Sequence, residues 1–131
     1  MQKAEILNKV KDICDAHPEI KLAYFFGSQV SGNTGLLSDF DFAFYADEKD
    51  RVKLFDLKIN LMSKISLALG TDKIDVVILN LTESPELKYG IIKDGELIIA
   101  EEPYKVLIEP RILHEYFDFH EILARHHLTK N

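Results

Sequence analysis

Two carboxylates, Asp39 and Asp41, sit among phenylalanines in "SDFDFAFYAD". Upstream, the apolar run "KLAYFF" stops at Gly27-Ser28, and further on a third acid, Asp75, interrupts the apolar run "KIDVVILN". In a strand, residues i and i+2 share a face. Phe40, Phe42 and Phe44 then point one way, and Asp39, Asp41, Ala43 and Tyr45 the other. The aromatic face has packing to do. The acidic face holds two like charges roughly 6–7 Å apart, which is costly without a positive charge between them. One remedy is Lys or Arg, and residues 25–47 contain neither. The other is a divalent cation. Hard oxygen ligands suit Mg²⁺, which keeps waters and takes further ligands from substrate phosphates. If the strand carrying Asp75 pairs beside the first, three carboxylates could hold two metals about 3.5–4 Å apart, the arrangement that clamps attacking and leaving oxygens in a phosphoryl or nucleotidyl transfer. Gly27 at a strand end lets backbone approach a ligand. Ser28 and the next amides can donate to phosphate oxygens if a helical turn starts there. A lone Asp-x-Asp usually marks a solvated strand end and a lone Gly-Ser a turn, so the combination carries the weight.

These residues need elements to position them. Ile6, Val10, Ile13 and His17 recur at helical spacing, predicting a first helix over about Lys3 to His17, ended by Pro18. "IKLAYFF" reads as a mostly buried strand and "QVSGNTGLL" as loop with one helical turn at most. "DFDFAFYA" is the second strand. "DRVKLFDLKINLMSKISLALG" is the longest helical pattern, with Phe55, Ile59, Met62, Ile65 and Leu69 on one side and Gly70 as its stop. "KIDVVILN" is the third strand. Ser84-Pro85 looks like a capped helix start, running to about Lys93 before a fourth strand "ELIIA"; a hairpin through Asp94-Gly95 competes. From Pro110 onward, Leu113, Tyr116, Phe117, His120, Leu123, Ala124 and His127 keep helical spacing. The expected fold class is α/β (α+β), a small mixed β-sheet of about four strands packed on helices.

The 131 residues suit one domain, and the apolar fraction allows a real core. A net charge of −6 disfavours a protein that works by neutralising many phosphates, so no direct nucleic-acid binding is expected. A single nucleotide carried with cations remains compatible. No apolar run reaches the length of a membrane span, so no membrane role is expected. The single cysteine, Cys14, precludes an intrachain disulfide and fits a reducing compartment; the expected location is cytoplasmic. Cys14 itself reads as a core residue. His114, His120, His126 and His127 invite a metal reading. Yet His114 and His120 do not share a helical face, and His120 and His127 fall in the apolar stripe.

Gly27-Ser28, ten intervening residues and Asp39-Phe40-Asp41 together resemble the signature of the DNA polymerase β-like nucleotidyltransferase superfamily. The short length, the "SDFDFAF" context and "IDVVIL" resemble its minimal nucleotidyltransferases (MNT), and the likeness covers nearly the whole chain. The resemblance implies a single minimal nucleotidyltransferase domain over 1–131, with a C-terminal helix from about 110. It implies Asp39 and Asp41 as metal-binding carboxylates and Asp75 as the third catalytic acid, which helps hold the metal or activates the attacking hydroxyl. Gly27 and Ser28 would hold the nucleotide triphosphate. The implied reaction is Mg²⁺-dependent transfer of AMP from ATP to an acceptor hydroxyl, releasing pyrophosphate, with a two-metal site. Many such proteins resemble the antitoxin of a HEPN–MNT pair, which binds a helical HEPN ribonuclease and silences it by adding AMP to a tyrosine. One position departs from the pattern. Relatives often read G-S-x-A-R-G, and Ser31 stands here where the arginine would fall; a guanidinium there would stabilise charge developing on the phosphates.

Ser31 favours a rival expectation, a nucleotidyltransferase-fold protein that neutralises its partner by binding alone. The three retained acids favour the enzyme, because a contact surface needs no acid cluster. A small-molecule acceptor, such as an aminoglycoside, would ask for an added substrate domain. Ile112, Phe119 and Ile122 lie off the main stripe of the last helix. That helix is therefore apolar on more than one side, which suits either deep burial or a partner surface.

Overall fold

The computed structural model describes residues 1–27 and 39–126, so Ser28, Ser31, the expected loop and His127 lie outside the described residues. In chain order the elements are α1 (Lys3–Asp15), β1 (Ile20–Phe26), β2 (Phe40–Ala46), α2 (Arg51–Leu69), β3 (Ile74–Ile78), α3 (Pro85–Asp94), β4 (Glu96–Ala100) and α4 (Tyr104–Arg125). The strands form one mixed sheet in the order β3-β2-β1-β4. β1 pairs antiparallel with both β2 and β4, and β2 runs parallel to β3 through the α2 crossover. The α/β class and the four-stranded mixed sheet follow the expectation.

Alternation along the strands decides which layer each residue joins. Phe42 and Phe44 are fully buried against α1 and α2 with Ala23, Phe25, Leu57, Leu61 and Ile65, and Phe40 packs on that cluster. Ala43 and Tyr45 face the other layer, built from Leu22, Tyr24, Ile91, Ile108 and Ile112 under α3 and α4. Burial pushes the Cys14 thiol up to about 12, helped by Asp15, so the cysteine is an inert part of the core.

Three expectations needed correction. Helix α1 ends at Asp15, short of His17. A residue preceding proline is biased away from helical dihedrals, and Pro18 acts on His17 in this way. Helix α2 buries Leu54, Leu57, Leu61 and Ile65, leaving Phe55 and Ile59 outward at 48% and 65% exposure. Both stripes have helical spacing, so periodicity alone could not choose between them. Asp50 caps the start, accepting from the Val52 and Lys53 amides, and Gly70 closes the end at φ 69°. Helix α4 begins at Tyr104, with Pro110 inside it. The proline removes one backbone hydrogen bond, but buried Ile108 and Ile112 hold the helix to the sheet on either side. The inward stripe also carries partly buried Tyr116 and His120, while Leu113 and Phe117 face solvent. The competing hairpin at Asp94-Gly95 is not formed: α3 leads directly into β4.

A partly buried hydrogen bond ties α4 to β1. The Tyr24 hydroxyl donates to Glu109 Oε2 at 2.6 Å, and Glu109 also pairs with Lys105 at 3.3 Å. Burial first, then the Glu109 carboxylate, raise the Tyr24 phenol far above its ordinary range. We expect Tyr24→Phe to lower the unfolding free energy by about 1.5 kcal/mol, the scale of a hydrogen bond to a charged group. Urea denaturation at neutral pH measures this directly.

Candidate active site

The end of β1 and the starts of β2 and β3 meet at one end of the sheet. Phe26 pairs with Asp41 across β1 and β2, and Asp41 pairs with Asp75 across parallel β2 and β3. Asp41 and Asp75 therefore stand side by side on the face shared with Ala43 and Val77. Asp39 lies immediately before β2 and is exposed. The sheet thus brings Asp41 and Asp75 together, with Gly27 against Asp41 and Asp39 just upstream of the strand.

Gly27 has two reasons to be glycine. Its φ of 87° is strained for any side chain, and a Cβ built there would overlap Asp41 Oδ2. The Asp41 carboxylate occupies the place that a side chain at residue 27 would need. Partial burial lifts the Asp41 carboxyl from 3.8 to about 6, with Asp75 and then Asp39 adding to the effect. Among the described residues, no ion pair relieves Asp41 or Asp75.

Asp41 and Asp75 set hard carboxylate oxygens side by side, the donor type that Mg²⁺ takes, and their mutual repulsion adds to the burial that raises the Asp41 carboxyl. Among the described residues no three His, Cys, Asp or Glu side chains already converge on a point that could hold an ion. Asp41 and Asp75 are the register pair, and Asp39 contributes through its field.

Two clefts flank these residues. One, of about 670 Å³, runs from Phe26 and Gly27 along α3 past Glu86, Leu87 and Gly90 to Asp94. The other, of about 350 Å³, lies between Asp75 and α2, reaching Phe55, Lys58 and Thr82. Leu87 lines both, so the first turn of α3 forms a wall common to the two clefts. Ser84 fixes that turn, its hydroxyl accepting from the Leu87 amide at 3.2 Å, with Pro85 at the first helical position. Asn80 clamps the far end of β2, accepting from the Ala46 amide at 3.0 Å and donating to its carbonyl at 2.8 Å. Sequence reasoning placed α3 correctly but not its role in lining the site. The available signal was Gly90, a glycine inside a helical run.

Among the described residues the histidines do not form a second site. His114 pairs with Asp118 at 3.2 Å on the surface. His120 packs its ring at a tilt against Tyr116 and holds Nε2 3.6 Å from Glu86, without a hydrogen-bond partner.

The sheet, its acids and the glycine turn define a nucleotidyltransferase architecture. A sequence model described as "Polymerase beta, Nucleotidyltransferase" matches residues 8–104, most of the chain. The chain belongs to the polymerase β nucleotidyltransferase family. Among curated protein sequences none matches. Several solved structures are similar. A toxin–antitoxin with AMP-PNP has TM-score 0.75 at 23% identity, covering 91% of this chain and 93% of that one. The toxin–antitoxin MntA–HepT has TM-score 0.70 at 22% identity, covering 95% and 94%. A tri-AMPylated Shewanella oneidensis HEPN toxin in complex with MNT antitoxin has TM-score 0.70 at 21% identity, again covering 95% and 94%. At these identities the likeness establishes the shared fold.

Proposed function

We propose that this chain, as one minimal domain over 1–131, transfers AMP from ATP to a protein hydroxyl and thereby acts as the antitoxin to a HEPN-type ribonuclease in the cytoplasm. The observation that carries the reading is the register pairing of Asp41 with Asp75, Asp39 two residues upstream of Asp41, and the Asp41 carboxylate seated against Gly27. Similar folds in a toxin–antitoxin with AMP-PNP and beside a tri-AMPylated HEPN toxin support the choice of nucleotide and acceptor.

In this reading Asp39, Asp41 and Asp75 would hold Mg²⁺, which when bound offsets both the carboxylate repulsion and the phosphate charge. Gly27 lets the triphosphate approach the backbone, and Ser28 donates to a phosphate oxygen. The acceptor hydroxyl oxygen bonds to the α-phosphorus as the bond to the β-bridging oxygen breaks, and pyrophosphate leaves. Asp75, exposed at the rim, takes the hydroxyl proton. Val106, Leu113 and Phe117 leave an apolar face of α4 open to solvent, and we assign the toxin contact there.

Neutralisation by contact alone is the second reading. It is favoured by the lack of a converged three-acid group among the described residues and by Ser31. Labelled ATP separates the readings. Nucleotidyl transfer puts α-³²P on a protein acceptor, leaves γ-³²P in pyrophosphate, and stops when EDTA removes the metal. Label on no protein, with the toxin still silenced, supports contact alone; label from the γ position would mean a different reaction.

A further inference from the structure

Gly90 poses a question that packing does not answer. It is the sixth of ten residues in α3, where glycine is a poorer helix former than alanine. It has no positive φ, and a Cβ added there would meet nothing within 4 Å. Neither backbone geometry nor a neighbouring atom requires glycine. What the missing side chain leaves is space, and that space belongs to the cleft of about 670 Å³ that begins at Gly27.

The lining identifies the occupant. The Gly27 end adjoins Asp41. Beyond it the walls are Phe26, Leu87, Gly90 and Ile91, with Glu86 and Asp94 as the polar groups and no Lys, Arg or His among the described lining residues. A polyphosphate is repelled from such a cleft. A neutral heterocycle is suited to it: an apolar ring on Phe26 and Leu87, and exocyclic amino hydrogens donated to a carboxylate. The volume falls in the range of small-molecule sites.

We infer that this cleft binds the nucleobase and ribose of the nucleotide, preferring a base with an exocyclic amino group, and that Gly90 keeps it open. The inference rests on the reading of Gly27 and Asp41 as the phosphate end of a nucleotide site. It extends that site along α3 and gives Gly90 a positioning role through the room it leaves.

The test measures binding, with no turnover needed. Calorimetric titrations in Mg²⁺ compare ATP with inorganic tripolyphosphate, on wild type, Gly90→Ala and Gly90→Leu. Gly90→Ala should raise Tm by about 2–4 °C, the usual gain from glycine to alanine in a helix. The same variant should weaken ATP about threefold, and Gly90→Leu by about tenfold or more, on the scale of steric loss in a filled pocket. Tripolyphosphate should bind all three proteins within about twofold, because its site ends at Gly27. If both variants bind ATP as wild type does, the base lies elsewhere and the inference fails while the nucleotide site stands. The inference also fails if only acceptor binding drops, since the cleft then belongs to the acceptor. If wild type binds neither ATP nor tripolyphosphate, the nucleotide site itself fails. Gly90→Ala guards against misfolding, because its stability gain is read in the same samples.

Discussion

Replacing Asp41 by asparagine is expected to abolish AMP transfer while making the metal-free protein harder to unfold. The first effect follows from its place between Asp39, Asp75 and the Gly27 backbone, where it is the best-positioned carboxylate for a cation. Loss of about 10³-fold or more is expected, the upper range for removing one preorganised electrostatic group from a transition state. The second effect follows from its raised carboxyl, at about 6 in the fold against an ordinary 3.8. A carboxyl raised on folding favours the fold in its protonated form. That contribution is fully present below about pH 4 and is lost as pH rises through about 6. At pH 8 without metal, Asp41→Asn should exceed wild type by about 1 kcal/mol, after allowing for solvent screening of a partly open group. At pH 4 the two should converge. Mg²⁺ with ATP should stabilise wild type and leave the variant unchanged. Thermal melts at the two pH values, with and without Mg²⁺ and ATP, check every part. An active variant, or one less stable than wild type at pH 8, contradicts the role assigned to Asp41.

Gly27→Ala should lose nearly as much activity by another route. The new methyl meets the Asp41 carboxylate, the movable end of a side chain, so the carboxylate is pushed off its place and the backbone stays. The positive φ adds a strain of about 1 kcal/mol, the left-handed penalty for a residue with Cβ. We expect transfer to fall about 10²-fold, the scale of a misplaced reacting group, and the unfolding free energy to drop by about 1 kcal/mol. The pH dependence of stability around Asp41 should shift as well, because its surroundings change. An alanine variant with wild-type turnover would mean that the close approach of Asp41 to residue 27 does not matter for the chemistry.

Where sequence reasoning succeeded, the pattern had only one physical solution. Phe40, Phe42 and Phe44 alternate with acids and small residues, and a period of two fixes both the strand and its faces. Asp75 interrupts an otherwise apolar five-residue strand, so any pairing of β3 beside β2 in that register brings it to Asp41. Where reasoning fell short, two solutions looked alike. Helix α2 offers two apolar stripes, and only tertiary packing turns Leu57 and Leu61 inward while Phe55 faces out. Pro110 read as a boundary because a proline within a helix costs a backbone bond, yet Ile108, Ile112 and the Tyr24–Glu109 contact outweigh it. The part of the site formed by α3 was hidden for a simpler reason. Glu86, Leu87 and Gly90 reach Phe26 and Gly27 across nearly sixty residues of chain, and no local pattern encodes that contact.

The most direct measurement is the intact mass of the protein that co-purifies with this one, taken after incubation with Mg²⁺ and ATP. The control is protein carrying Asp39→Asn and Asp41→Asn. The account predicts that the partner gains mass in whole AMP units, that the gain vanishes in the control, and that the modified partner loses ribonuclease activity. A stable complex whose partner keeps its mass, and is silenced equally well by the control, would contradict the enzyme and leave a protein that neutralises by contact.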